Sequence, residues 1–190
     1  MKYALSNTGR IEATPKSIGI CQCCGSELVA KCGTQKIWHW AHKGKRNCDH
    51  WWENETQWHR DWKDNFPKEW QEVVHLSEDG EKHIADVKTS NGLVVEFQHS
   101  AISLKEKLSR ETFYKDMIWV VDGRRLERDF QRFYESFRSS DWKHWRLLLG
   151  ILFLRINGPQ CFQSELRKLS LNLWKSLSNL SPSTTQIMFL

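Results

Sequence analysis

Cysteine and histidine are concentrated in one short part of this sequence. Five of the six cysteines lie within residues 21–48. There, Cys21-Gln22-Cys23-Cys24 is followed after fourteen residues by His39-Trp40-Ala41-His42. Zinc favours four tetrahedral Cys and His ligands, and a spacing of two residues lets each pair bind one ion from a tight turn. The pattern therefore predicts a zinc site, against the alternative of small buried cysteines and surface histidines.

The expected zinc ligands are Cys21, Cys24, His39 and His42. The neighbourhood offers substitutes, namely Cys23 for a thiolate and Cys32, Cys48 or His50 for an imidazole. The spacing, and the lack of a clear helix bearing the histidines, argue against a DNA-reading finger. We expect a structural site that holds a small subdomain against the body of the protein.

Length and charge limit the class of protein. The 190 residues suit one domain with a small appendage, and the net charge of +5 permits a nucleic-acid partner without requiring one. No run approaches the roughly 20 apolar residues of a membrane helix, and the first residues lack the apolar stretch of a secretory signal. We expect a cytoplasmic protein with reduced thiols and no membrane partner.

A second pattern lies in two predicted strands, 83–88 and 93–99. Asn91-Gly92 between them is a strong signal for a tight hairpin turn. Such a turn brings Asp86 within about one residue of facing Glu96 or Gln98, which share a face because side chains alternate along a strand. Buried carboxylates need a counter-ion, and Mg²⁺ prefers oxygen ligands. We therefore predict a magnesium site here.

The helix predicted over 51–66 supplies further polar groups. Glu55, His59 and Lys63 are four residues apart and share one helix face. That face can bring a carboxylate, a proton-transfer group and a cation to the same site, although such a stripe is also common on a solvated surface.

The predicted elements follow the order α-β-β-β-α-β. After the three strands, 103–115 has helical spacing with a serine cap, and 117–121 is a buried strand. This order predicts an α/β (α+β) fold with a mixed sheet between two helices. We divide the chain into residues 1–50 with strands and zinc knuckle, 51–125 as the core, and 126–190 as a helical, basic segment.

These motifs together resemble the competence protein CoiA-like family, whose members look like nucleases of the PD-(D/E)XK superfamily. The resemblance covers roughly residues 20–125. Its landmarks are Cys21-x-x-Cys24, His39-Trp40-Ala41-His42, Glu55-x-x-x-His59-x-x-x-Lys63, Ala85-Asp86-Val87, Glu96-Phe97-Gln98-His99-Ser100-x-Ile102-Ser103, Arg110-x-x-x-Tyr114 and Met117-Ile118-Trp119-Val120.

The resemblance implies an acidic triad of Glu55, Asp86 and Glu96 that holds Mg²⁺ or Mn²⁺. Gln98 stands where most of the superfamily has lysine. A glutamine can orient the attacking water by hydrogen bonding but carries no charge to offset that of the phosphate.

The resemblance also gives tasks to the basic residues. His59 or Lys63 would assist proton transfer or contact phosphate. Arg110 would contact a phosphate or tie the second helix to the site.

Tryptophan is unusually frequent, with eleven residues in the chain. Bases of unpaired strands stack on exposed aromatic rings. We expect Trp40 and Trp52 to contact nucleic acid, whereas Trp51, Trp58 and Trp62 more plausibly pack the first helix on the sheet.

The leading hypothesis is a metal-dependent nuclease that hydrolyses phosphodiester bonds, most plausibly of DNA, in uptake, recombination, defence or mobile-element conflict. Its cofactors would be structural Zn²⁺ and catalytic Mg²⁺ or Mn²⁺, and a homodimer is an open option. The second hypothesis is a non-catalytic, zinc-stabilised nucleic-acid-binding or adaptor protein. In a third, the ion bound within residues 21–42 is itself catalytic.

Overall fold

The computed structural model describes residues 1–44, 48–51, 53–123 and 128, together with the backbone of 186–189. Within these residues the chain forms two five-stranded β-sheets and two α-helices. The fold is therefore of the mixed α and β class that the sequence predicts.

The first sheet is antiparallel, with the strand order β2-β1-β3-β4-β5. Its strands are β1 (Tyr3–Ser6), β2 (Gly9–Glu12), β3 (Ile18–Ile20), β4 (Glu27–Lys31) and β5 (His39–His42). β1 and β2 form a hairpin, and Gly9 adopts the positive φ that its turn needs. Residues 18–50 show little periodicity in sequence, yet they contain β3, β4 and β5. Strands of three to five residues are too short to give a periodic pattern.

Trp40 occupies the centre of this first sheet. The side chain is fully buried, and its Nε1 donates a hydrogen bond to the carbonyl of Ile11 at 3.1 Å. The expected contact between Trp40 and nucleic acid is therefore wrong, because no ring face is available for stacking. Trp52 lies outside the described residues.

The second sheet is mixed and has the order β10-β9-β8-β7-β6. Its strands are β6 (Gln71–Leu76), β7 (Lys82–Lys88), β8 (Val94–Gln98), β9 (Met117–Val121) and β10 (Gln186–Phe189). β7 pairs antiparallel with both β6 and β8, whereas β9 runs parallel to both β8 and β10. The hairpin turn between β7 and β8 spans 89–92, and only Gly92 in it has a positive φ. It is therefore wider than the predicted two-residue turn.

The predicted α-β-β-β-α-β order is found in residues 57–121. The first helix, α1 (Gln57–Lys63), is shorter than predicted, because Thr56 caps its N-terminus by accepting a hydrogen bond from the His59 amide. The second, α2 (Leu104–Tyr114), has the predicted Ser103 cap, whose hydroxyl accepts from the Glu106 amide. A short 3₁₀ helix, Lys68–Trp70, leads into β6.

The helices cover opposite faces of the second sheet. Alternate residues of β9 belong to different apolar clusters, Ile118 to one and Trp119 to the other. Trp58 and Trp62 from α1 pack on the first cluster, as predicted. Trp51 instead packs on the face covered by α2, beside Tyr114.

The segment 126–190 was expected to be helical, and its predicted helix over 126–137 lies outside the described residues. The backbone of Gln186–Phe189 contributes the edge strand β10. None of the helices in the described part of the chain is long and apolar enough to cross a membrane.

A substitution at Gly19 in β3 tests how tightly the first sheet is packed. A Cβ atom there would lie 2.6 Å from Ala4 Cβ and 3.3 Å from Trp40 Cη2. We expect Gly19→Ala to lower the free energy of unfolding by about 1–3 kcal/mol, the usual cost of overpacking a core. Gly33→Ala is the control, because no atom lies within 4 Å of its added Cβ. Equal urea midpoints for the two variants would contradict this packing.

Candidate functional site

A polar pocket lies between the two sheets. Six acidic residues and three basic residues contribute to its lining, namely Asp49, Glu53, Glu55, Glu72, Asp86 and Glu96 with His59, Lys63 and Arg110. We call this the carboxylate pocket. His42 and Cys48, from the cysteine-rich part of the chain, also line it.

Asp86 and Glu96 lie on neighbouring strands at the centre of the pocket. β7 and β8 pair at Val87 with Val95, so the next residues, Asp86 and Glu96, oppose each other as predicted. Their carboxylates bond to backbone of the opposite strand. The Asp86 amide donates to Glu96 Oε1 at 3.1 Å, and the Phe97 amide donates to Asp86 Oδ2 at 3.0 Å.

Lys63 carries a buried positive charge at one side of the pocket. Its Nζ lies 2.6 Å from Glu55 Oε1, 2.8 Å from Glu72 Oε1 and 3.8 Å from Asp86 Oδ1. Burial opposes the charge, but the three carboxylates raise the pKa of Lys63 above its ordinary value. Lys63 is therefore a permanent cation and not a proton-transfer group.

Glu72 was not expected in the site. Burial alone would raise its pKa, but the charge of Lys63 and the hydrogen bonds that Glu72 accepts lower it to about 2. Its carboxylate also accepts the backbone amides of Lys2 at 2.7 Å and Tyr3 at 3.0 Å. Glu72 therefore joins the first sheet to the second at the pocket.

Arg110 is buried and bonded within the protein. Its guanidinium contacts Glu96 Oε2 at 3.1 Å, the carbonyl of Trp51 at 2.7 Å and Glu106 Oε1 at 2.5 Å. Of the two tasks expected for Arg110, the structure supports tying the second helix to the site. Contact with phosphate is wrong for this conformation, because the charged group is enclosed.

Glu96 is the carboxyl group whose environment differs most from water. Burial and the neighbouring charge of Asp86 raise the pKa of Glu96 to about 8, although Arg110 acts in the opposite direction. Burial and the charge of Asp86 thus oppose ionisation of Glu96, whose two oxygens accept from Arg110 and from the Asp86 amide.

Gln98 points its amide towards Glu53 and away from solvent. Its Nε2 donates to Glu53 Oε1 at 2.6 Å and to the carbonyl of Ser100 at 3.0 Å. Glu53 also accepts from the Ser100 hydroxyl at 2.5 Å. The sequence reasoning missed Glu53, whose signal is only that it lies two residues before Glu55.

His59 takes part in the N-terminal cap of α1 and also lines the carboxylate pocket. The Thr56 amide donates to His59 Nδ1 at 3.3 Å, so we assign the proton of the neutral ring to Nε2. Burial and the charge of Lys63 lower the pKa of His59, against the opposing charge of Asp86. At neutral pH the ring is an uncharged hydrogen-bond donor.

Four side chains of the cysteine-rich segment converge at one wall of the pocket. The ligand atoms of Cys21, Cys24, His42 and Cys48, which we call the cysteine cluster, all lie within 4.8 Å of one another. Cys24 Sγ is 3.3 Å from His42 Nε2, and Cys21 Sγ is 3.7 Å from Cys48 Sγ.

His39 lies outside this cluster, and Cys48 takes its expected place. Both histidines are on β5, three residues apart, and side chains at that spacing in a strand point to opposite faces. His39 Nδ1 is instead within 2.8 Å of the carbonyl of Ile37. Two histidines three residues apart can bind one ion from a turn or a helix, but they cannot do so from a single strand.

The cysteine cluster fits zinc. Three thiolates and one imidazole form one of the common structural sets, and four protein ligands leave no open position for a substrate. The buried His42 Nδ1 has no hydrogen-bond partner among the described residues. Hydrogen bonds from Ser26 and His42 lower the pKa of the Cys24 thiol to about 6 although burial opposes this, whereas burial raises the pKa of the Cys21 and Cys48 thiols to about 12. Because thiolate is the form that binds metal, binding of zinc would release protons from Cys21 and Cys48.

The side chains of the carboxylate pocket do not form a comparable metal-binding cluster. Among the residues that the structure describes, the cysteine cluster is the one group of three or more such side chains whose ligand atoms lie this close. The expected magnesium ligands Glu55, Asp86 and Glu96 do not converge. Glu55 instead contacts Lys63, and Arg60 at 2.9 Å.

Comparison with known proteins finds one similarity. Residues 10–50 match the family model described as "Competence protein CoiA, N-terminal domain". The matched range contains all four members of the cysteine cluster. No curated protein and no solved structure matches the chain.

The ligand set gives a test by metal content. We expect wild type to retain zinc on dialysis, and Cys48→Ser to bind it at least about tenfold more weakly because one of four ligands is lost. His39→Ala is the matched control and should retain zinc. Mass spectrometry of the metal and a competing chelator measure both. Loss of zinc in His39→Ala with retention in Cys48→Ser would contradict the assignment.

Glu96 gives a test by pH. Its pKa is raised from 4.5 to about 8 on folding, so the unfolded chain releases a proton that the folded protein holds. In buffer free of divalent cations, the free energy of unfolding should therefore fall as pH rises from 4.5 towards 8. Glu96→Gln should remove this contribution to the fall, because glutamine does not titrate.

Urea unfolding at pH 5 and pH 9 measures the difference. Glu78→Gln, at an exposed position, is the control and should follow wild type. Parallel pH curves for wild type and Glu96→Gln would contradict the raised pKa.

Proposed function

We propose that this protein is a metal-dependent nuclease with a PD-(D/E)XK-like core, acting most plausibly on DNA. The observation that carries the proposal is the opposed pair Asp86 and Glu96 on adjacent strands, within the α-β-β-β-α-β order. The match of residues 10–50 to a competence-protein domain supports a competence-related role. The cysteine cluster serves as a closed structural zinc site.

Asp86 and Glu96 are the residues that would hold Mg²⁺ or Mn²⁺, whereas Glu55, the expected third acid, is paired with Lys63 and Arg60 and does not join them. A bound divalent ion supplies polarisation of the phosphodiester and a water of lowered pKa. To hold a divalent cation, Glu96 would have to be ionised and would have to share its contact with Arg110.

Lys63 supplies the positive charge that Gln98 lacks. Its Nζ lies 3.8 Å from Asp86 and stays protonated, so it offsets the negative charge of the acidic residues. Gln98 contributes through hydrogen bonding, with its rotamer fixed by Glu53. This division of tasks is how we account for the absence of lysine at position 98.

His59 acts as a hydrogen-bond donor in this proposal. Its Nδ1 receives the Thr56 amide, which leaves the proton on Nε2. A neutral N–H donor beside carboxylates suits a phosphate oxygen and adds no charge. We therefore assign His59 to binding of the substrate phosphate instead of proton abstraction.

A second function, a non-catalytic nucleic-acid-binding or adaptor protein, has its own supporting observation. Glu55, Glu96 and Gln98 are each bonded to a partner inside the protein, namely Lys63, Arg110 and Glu53. A pocket whose charges are already paired can stabilise the fold without taking part in catalysis.

Cleavage assays separate the two functions. We expect wild type to cut plasmid or single-stranded DNA with Mg²⁺ or Mn²⁺, and Asp86→Asn or Glu96→Gln to cut at least about 100-fold more slowly because the metal loses a ligand. Glu78→Gln, exposed and outside the pocket lining, should cut normally. Binding of DNA without cleavage under any metal would favour the adaptor. Full activity in both pocket variants would rule out this site.

A further inference from the structure

We propose that Asp49 is a positioning residue that couples metal occupancy of the cysteine cluster to the geometry of the carboxylate pocket. The inference rests on the metal role proposed for the cysteine cluster, and it does not require nuclease activity.

Asp49 directly follows the cluster residue Cys48 and is buried, with 8% of its surface exposed. Its carboxylate accepts three hydrogen bonds. Oδ1 accepts from the Trp51 amide at 3.0 Å and faces His83 Nδ1 at 2.8 Å. Oδ2 accepts from the Ile84 amide, on β7, at 2.8 Å. Asp49 thus fixes the chain beside the metal site to the strand that carries Asp86.

The residues after Asp49 supply one wall of the pocket. We call 48–51 and 53–56 the connecting segment, since it joins the first sheet to α1. The carbonyl of Trp51 accepts Arg110, which pairs with Glu96, while Glu53 holds Gln98 and Glu55 holds Lys63. Three separate pocket contacts therefore depend on where this segment lies.

The connecting segment has neither helix nor strand hydrogen bonds of its own. Its position depends on the anchors at its ends, the Thr56 cap of α1 and the region of Cys48 and Asp49. Trp51 adds a third contact by stacking on His83 with ring centroids 3.4 Å apart. Loss of the metal would free Cys48 from its ligand bond, and that end of the segment would then be held by Asp49 and by the stacking of Trp51 on His83.

The substitution Asp49→Asn breaks the connection while leaving all four metal ligands in place. One asparagine oxygen can accept on one side only, and its NH₂ group would face a donor on the other. The variant should therefore bind zinc but lose the link between zinc and pocket.

Amide hydrogen exchange reads this coupling residue by residue. The Ile84 amide reports the Asp49 bond, and the Asp86 and Phe97 amides report the pocket because they donate to Glu96 and Asp86. We would compare wild type with zinc, wild type stripped by chelator, and zinc-loaded Asp49→Asn. Asp61→Asn, exposed on α1, is the matched control.

We expect one zinc per chain in Asp49→Asn and faster exchange at Asp86 and Phe97, by about fivefold or more, the lower end of typical coupling between sites. Zinc-stripped wild type should show the same increase, whereas β6 and β9 amides and the Asp61→Asn control should not change.

Two outcomes would overturn the proposal. In the first, the Asp86 and Phe97 amides of zinc-loaded Asp49→Asn exchange at the same rate as in zinc-loaded wild type. Asp49 would then have only a local role. The other is a uniform loss of protection through β6 and β9 in both samples, because the metal would then act on the whole fold. Should Asp49→Asn not fold, a zinc titration of wild type decides, since protection at Asp86 and Phe97 must rise with occupancy. Failure of the cleavage assay alone leaves these exchange results unaffected.

Discussion

The buried ammonium group of Lys63 is the interaction on which both halves of the molecule depend. Removing an ion from water costs several kcal/mol, and removing one partner of a buried pair costs about 3–5 kcal/mol. Here Glu55, Glu72 and Asp86 surround the one cation, and each belongs to a different part of the chain. The charge therefore fixes the connecting segment, β6 and β7 relative to α1.

Glu72 shows how strongly this arrangement constrains the backbone. Its φ is +48°, in the left-handed region that costs a non-glycine residue about 1–3 kcal/mol. The conformation is held because the carboxylate bonds Lys63 and the amides of Lys2 and Tyr3 together. One strained residue thus takes part in the contact between the two sheets, beside the hydrogen bonds that Tyr3 and Arg10 make to Gln71.

The second sheet was largely predictable from sequence, and the first was not. Runs such as Met117–Val121 are apolar throughout because both faces are buried, and Gly92 marks the turn that aligns Asp86 with Glu96. The short strands of the first sheet lack such patterns. His39 was chosen from a spacing that assumes a turn, whereas β5 is extended.

Other parts of the site depend on tertiary contacts that no local pattern records. Cys48 meets Cys21 across 27 residues, and Glu72 on β6 meets Lys63 on α1 through a tertiary ion pair. Glu53 and Asp49 are acids in an irregular segment, where neither helical nor strand periodicity assigns a direction to a side chain. Their partners become visible only when the sheets are assembled.

The parallel pairing of β10 with β9 has a consequence for biosynthesis. Residues 122–185 must be made between the two strands, which takes roughly 3–13 s at typical rates of translation. Until β10 has been made, β9 lacks this partner on one side, and an unpaired strand edge can recruit strands from other chains. The nascent protein is therefore most exposed to misassociation after its core sequence is complete and before its last strand arrives.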